Sequence, residues 1–134
     1  MIPRRMPVGL RLGPSAKDGD LHELKRALAA EPERVNEVDE EGQSALMIAI
    51  AKGDLPMVTE LLSTKGIAVD LGTKHGGTAC HRAALLGHDA IMRALAERGA
   101  DVNKQADDGA TPLWCASVHG HESAARCLLS LGAL

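Results

Sequence analysis

The residues of this sequence best equipped for chemistry are its three cysteines and six histidines. Cys115 and His119 are four residues apart, which would place them on one face of a helix, and His121 follows closely. Such a group could hold zinc or form a thiolate–imidazole nucleophile. His81 beside Cys80 is a weaker pair, because adjacent helical residues point about 100° apart.

Several features argue against catalysis or metal binding at these residues. Cys115 falls where the repeat described below carries a buried apolar residue, and a buried thiol is usually inert. No acid is placed to orient a histidine, and no Cys-x-x-Cys pair is present. Gly76-Gly77 is no phosphate loop, because no Gly-x-x-x-x-Gly-Lys pattern follows it. We therefore expect no catalytic residue, no metal, no cofactor and no enzyme activity.

The composition restricts both the core and the partners. Hydrophobic residues make up 45% of the chain but aromatic residues only 1%, with one Trp and no Phe or Tyr. Aliphatic side chains without rings suit thin layers of small helices better than one deep core. The net charge of −3 offers no basic surplus for nucleic acid, and no apolar run approaches the roughly 18 residues of a membrane span. The odd cysteine count favours a reducing, cytoplasmic or nuclear compartment.

An internal repeat organises the sequence. Ser44, Thr78 and Thr111 follow one another at spacings of 34 and 33 residues, each inside a similar segment of eight residues. A glycine falls nine residues after each of them and a leucine eight residues later, at Gly53 and Leu61, Gly87 and Leu95, and Gly120 and Leu128. Landmarks that recur three times in register indicate stacked copies of one structural unit.

The residue types in each unit predict a pair of short helices. Ser44, Thr78 and Thr111 suit helix N-caps, and the glycine that follows each suits a left-handed helix end. A second helix begins after a tight turn, capped by Asp20 or Asp54, or less conventionally by His88 or His121 in the later copies. Neither helix is long enough to be stable alone, so each pair must pack on a neighbour.

The sequence resembles the ankyrin-repeat family, whose period is about 33 residues and whose signature is Thr-Pro-Leu-His-x-Ala. Thr111-Pro112-Leu113 is the best match, and Gly99-Ala100-Asp101-Val102-Asn103 matches the family's repeat ending. The resemblance implies an all-α solenoid of helix-turn-helix pairs joined by β-hairpin-like turns. We predict a disordered or extended leader (1–15) and an ankyrin-repeat domain (16–134), with a degenerate half-repeat (16–40), two repeats (41–75 and 76–108) and a truncated last repeat (109–134).

Two residues of the repeat carry expectations of their own. Trp114, the only aromatic residue, stands where the family has a histidine that packs against adjacent repeats. We therefore expect Trp114 to pack in the same way, although tryptophan is also enriched among interface anchors. We expect Asn103 to support the turn at the end of its repeat.

The resemblance also implies a function, which is to bind a partner protein on the hairpin tips and on the concave surface of the first helices. Those positions here are Glu40, Glu41, Gln43, Lys52, Lys74, His75, Leu85, Leu86, Asp107, Asp108, Val118 and His119. The alternative is a targeting or regulatory segment of a larger enzyme whose catalytic domain is absent from this chain. We expect a monomer, with association through the uncapped C-terminal face as the alternative.

Overall fold

The computed structural model describes residues 19–39 and 42–134. The predicted leader and two predicted site residues, Glu40 and Glu41, lie outside these residues. The described part contains seven α-helices and one short 3-10 helix, Pro32–Arg34. The α-helices are α1 (Leu21–Ala30), α2 (Ala45–Lys52), α3 (Leu55–Leu62), α4 (Ala79–Leu86), α5 (Asp89–Glu97), α6 (Pro112–Val118) and α7 (Glu122–Ser130). This is the predicted all-α repeat fold.

The predicted caps begin most of these helices. The hydroxyl of Ser44 accepts the amide of Met47 at the start of α2, and Thr111 caps α6 in the same way. The Asp54 carboxylate caps α3 by accepting the amide of Met57. His88 occupies the N-cap position of α5, as predicted, but its side chain makes no capping hydrogen bond.

Glycine ends α2 and α4 as expected. Gly53 and Gly87 have φ of 68° and 74°, in the left-handed region that closes a helix with little steric cost. In the next copy α6 ends one residue earlier, at Val118, and His119 is the C-cap residue instead of Gly120.

The connecting segments form tight turns with hairpin-like hydrogen bonds. The amide of Thr73 donates to the carbonyl of Gly77 over 2.8 Å, and Ala106 donates to Ala110 over 2.8 Å. Within the described residues, strand-like pairing is limited to an isolated antiparallel bridge between Val38 and Ser44. The turns therefore extend from the helix pairs without forming a sheet.

The described residues divide into two compact units, one that ends at residue 67 and one that spans residues 68–134. In the described part of the first unit, α3 packs against both α1 and α2. Leu24, Met57, Val58 and Leu61 are completely buried there, so aliphatic side chains alone build its core.

In the second unit, two helix pairs pack side by side. The first helices, α4 and α6, contact each other, and so do the second helices, α5 and α7. Small residues on the first helices, Ala83, Ala84 and Ala116, are fully buried and let the two backbones approach closely. Leu95 and Leu128 are buried at equivalent positions of the second helices.

Polar side chains at the ends of the repeats tie each repeat to the next within a unit. Asn36 donates to the carbonyl of Gly66 in the first unit. In the second unit, the carboxylate of Asp70 accepts the amide of Asp101 at 3.0 Å, and the Asn103 side chain accepts the amide of Leu134 at 3.0 Å. The Asn103 side chain thus bonds to the end of the next repeat, and its support of its own turn stays a prediction.

Along the part of the chain that the structure describes, no helix combines the length and the apolar character that crossing a membrane requires.

Candidate functional site

The cysteine–histidine pairs do not form a reactive centre. The Nδ1 atom of His119 lies 2.9 Å from the carbonyl oxygen of Cys115, so this imidazole is engaged with the helix backbone. Burial, and to a smaller degree the nearby Asp108, raises the pKa of the Cys115 thiol, which disfavours the thiolate. Among the described residues, no group of three or more His, Cys, Asp or Glu side chains is arranged to hold a metal ion.

Cys80 is still less reactive, and its neighbour His81 has a structural task. Burial raises the pKa of Cys80 to about 12, with smaller contributions from Asp70 and Asp101. The Nδ1 atom of His81 accepts the amide of Thr78 at 3.1 Å, while Nε2 lies 2.8 Å from the carbonyl oxygen of Ala110. Since a carbonyl only accepts, Nε2 carries the proton, and the ring joins the start of α4 to the next hairpin turn.

The described part of the second unit contains a groove of about 400 Å³, between the two hairpin turns and the first helices. Its walls are the turns around His75 and Asp107, and its base includes His81 and Leu85 of α4. Trp114 and Cys115 of α6 complete the lining on the other side. The groove is therefore assembled from consecutive repeats of this unit.

A backbone hydrogen bond joins the two hairpin turns. The amide of Asp107 donates to the carbonyl of His75 over 3.0 Å, and a β-carbon on Gly76 would lie only 2.7 Å from the Asp107 carboxylate. Asp108 accepts the amide of Ala110 with one carboxylate oxygen at 3.0 Å. The groove wall is thus built before any partner arrives.

Trp114 does not pack as we expected. Its side chain is 53% exposed and lines the groove, whereas His81, at the equivalent position of the preceding repeat, is buried. The physical reason is the acceptor nitrogen of the imidazole, which accepts a backbone amide and so keeps the His81 ring buried. An indole has no acceptor nitrogen and cannot make this bond. The hydroxyl of Thr111 accepts the backbone amide of Trp114, and the ring remains at the surface.

The structure brings together four of the residues predicted for the partner surface, His75, Leu85, Asp107 and Asp108, in the lining of this groove. The other predicted residues of the second unit, Lys74, Leu86, Val118 and His119, do not line it. Val118 is 57% exposed one turn after Trp114, so both are on one face of α6.

Gln43 and Lys52 lie in the first unit, outside the groove. Gln43 is half-buried in the turn before α2, and Lys52 is exposed in the last turn of that helix. The partner surface thus stays a prediction, and the geometry adds Trp114 to it. The signal that could have found Trp114 is the presence of one aromatic residue in a chain otherwise without rings.

Comparison with known proteins identifies the family. A family model described as ankyrin repeats (three copies) matches residues 14–106, and a single ankyrin-repeat model matches residues 108–134. The chain therefore belongs to the ankyrin-repeat family, as its residues indicated.

Several proteins with different names contain a segment similar to this chain. The chain is 34% identical to protein phosphatase 1 regulatory subunit 27 of Mus musculus, over 63% of this chain and 54% of that protein. It is 40% identical to ankyrin repeat and SAM domain-containing protein 6 of Rattus norvegicus, over 71% of this chain and 11% of that protein. A probable E3 ubiquitin-protein ligase, XBOS32 of Oryza sativa subsp. japonica, is 34% identical over 90% of this chain and 24% of that protein.

The matching segment thus spans about half the length of the phosphatase regulatory subunit and smaller parts of the other two. The shared feature is the ankyrin repeat itself. These repeats make the chain a protein–protein interaction module.

Proposed function

We propose that the chain binds its partner protein in the groove of the second unit, between the hairpin turns and the first helices. The observation that carries this proposal is that the half-exposed Trp114 and Leu85 line one groove, whose two turns are already joined by a backbone hydrogen bond. Tryptophan is the residue most enriched among interface hot spots, and a preformed pocket lowers the entropy cost of binding.

The function we propose is binding without catalysis. The raised pKa of each thiol supports this, because burial keeps Cys80, Cys115 and Cys127 protonated and poorly nucleophilic near neutral pH. We further propose that the chain acts as a monomer in a reducing compartment, and that neither nucleic acid nor a membrane is its partner. The modest acidic net charge of −3 supports that last point.

Affinity capture from a native extract tests the surface. The bait is the full chain, compared with Leu85→Asp in the groove and with Leu129→Asp as the control. Leu129 is also an exposed leucine of the second unit, 55% exposed on α7, but it does not line the groove. Circular dichroism confirms that each variant is folded before capture.

We expect Leu85→Asp to lose the captured protein and Leu129→Asp to retain it, because a buried aspartate in the groove would remain without a partner. Capture that survives Leu85→Asp and Trp114→Ala contradicts the proposal. Loss only in Leu129→Asp would move the binding surface to the end of the second unit.

Two relatives are named as regulatory subunits of protein phosphatase 1, subunit 27 and subunit 12A of Mus musculus. Their names make this phosphatase a partner that can be tested directly with the purified protein. The same pair of variants applies, and binding that depends on Leu85 would assign the chain a phosphatase partner.

A further inference from the structure

We propose that the groove selects a partner segment in which a lysine or arginine lies next to an apolar side chain. The proposal rests on the proposed function, since it names the chemistry of the partner at the same groove. In this arrangement the cation meets Asp107, Asp108 and the indole face of Trp114, and the apolar neighbour covers Leu85.

The charge of the groove has one sign. Its lining includes two carboxylates, Asp107 and Asp108, and no lysine or arginine. Among the described residues, neither carboxylate forms an ion pair within the chain. Lys74 lies on the neighbouring tip but is not part of the lining, and the remaining titratable side chains around the groove are His75, His81 and Cys115. Two uncompensated negative charges at a concave rim attract a cationic segment and repel an acidic one.

One of the two carboxylates is also held in place. Asp108 is fixed by its bond to the amide of Ala110, which leaves its second oxygen for a partner. The carboxylate of Asp107 lies over Gly76, at the junction of the two turns. Positioned acceptors gain more from a cation than mobile ones, because less side-chain entropy is lost on binding.

Trp114 adds an attraction of a second kind. An ammonium or guanidinium group within about 6 Å of an indole centroid is attracted by the ring quadrupole, and tryptophan is the strongest partner among the aromatic residues. The indole is half-exposed in the same lining as the two aspartates, so one groove offers both kinds of attraction to a cation. Leu85, 36% exposed, offers the adjoining apolar contact.

Peptide selection tests this specificity without knowing the natural partner. A phage library of random 12-residue peptides is selected on the full chain and counter-selected on the triple variant Asp107→Asn, Asp108→Asn, Trp114→Ala. Synthetic versions of the surviving peptides are then titrated into the protein. Because the chain has one Trp and no Tyr, a peptide without aromatic residues can be followed by the emission of Trp114 alone.

We expect the surviving peptides to carry Lys or Arg beside an apolar residue and to shift the Trp114 emission. Replacing the cation by glutamine, or combining Asp107→Asn with Asp108→Asn, should weaken binding about fivefold to tenfold, and high salt should weaken it as well. The control, Glu97→Gln with Glu122→Gln, removes the same charge outside the groove and should leave the affinity unchanged.

Three outcomes overturn the inference: no peptide depends on the groove, the dependent peptides are acidic or uncharged, or the double variant Asp107→Asn, Asp108→Asn binds with unchanged affinity. The proposed function fails separately. If capture of a partner protein is still lost in Leu85→Asp while any of these outcomes holds, the groove binds a protein but does not select a cation.

Discussion

At the scale of single residues, His81 and Trp114 show how one position of the repeat can serve two purposes. His81 is buried and connects the start of α4 to the carbonyl of Ala110. Trp114 occupies the same position of the following repeat and lies at the groove surface. An imidazole can both accept and donate, whereas an indole can only donate. The exchange of one ring for the other therefore replaces an internal connection with an exposed ring in the groove.

We predict that His81→Ala destabilises the protein by about 1–3 kcal/mol, because the Thr78 amide and the Ala110 carbonyl both lose their partner. Urea unfolding followed by circular dichroism measures the change. His75→Ala is the control, since that exposed side chain lies on the neighbouring turn and should change stability by less than about 0.5 kcal/mol. Equal losses in the two variants would show that His81 does not connect the repeats.

The Cys80 thiol gives a prediction about pH. Burial raises its pKa from 9.0 to about 12, so the folded state favours the protonated thiol. As the pH rises from about 9 to 12, the thiol ionises in the unfolded chain first, and the free energy of unfolding should fall. Cys80→Ala should remove this part of the loss. Urea unfolding at pH 8 and pH 10.5 makes the comparison, and parallel losses in the two proteins would contradict it.

At the scale of the helices, the glycine after each first helix adopts a left-handed backbone, and at Gly87 it also leaves room for a neighbouring side chain. Gly87 and Gly120 both have φ of 74°. A β-carbon at Gly87 would lie 2.7 Å from Nδ1 of His121, whereas one at Gly120 would meet nothing within 4 Å. Gly87 therefore combines a left-handed backbone with a close approach by the next repeat.

We predict that Gly120→Ala costs about 1 kcal/mol from the backbone alone, and that Gly87→Ala costs about 1–2 kcal/mol more because the His121 ring must move. Thermal and urea unfolding of the two variants measure the difference. Similar stabilities would show that the ring of His121 moves aside freely.

The ties at the repeat ends can be tested at Asp70. Asp70→Ala removes the acceptor for the Asp101 amide and should cost about 1 kcal/mol. Asp70→Asn keeps a side-chain oxygen and should recover most of that loss. If Asp70→Ala unfolds at the same urea concentration as the wild type, the bond contributes nothing to stability.

The helices could be predicted from sequence because local chemistry determines them. Ser44, Thr78 and Thr111 begin helices and Gly53 and Gly87 end them, as the spacing indicated. The groove could not be predicted fully, because its lining depends on which face of each helix remains exposed after packing. Leu85, Asp107 and Asp108 followed from the family resemblance, but the orientation of the Trp114 ring depends on tertiary contacts.

At the scale of the whole molecule, the chain is an ankyrin-repeat interaction module whose described residues form two compact units. Its relatives include proteins with further segments, and the matching region covers 54% of the mouse phosphatase subunit and 24% of the rice ligase. The shared repeats establish a scaffold, and a scaffold by itself does not determine which ligand is bound.

The most direct measurement is photo-crosslinking in a native extract from two positions of the second unit. A benzophenone amino acid is placed at position 73, where Thr73 lines the groove, and in a separate protein at position 126, where the Arg126 side chain is 77% exposed on α7. We expect a discrete crosslinked partner from position 73 that disappears when Leu85→Asp is added, and none from position 126. The same adduct from both positions, or from position 126 alone, would contradict binding in the groove.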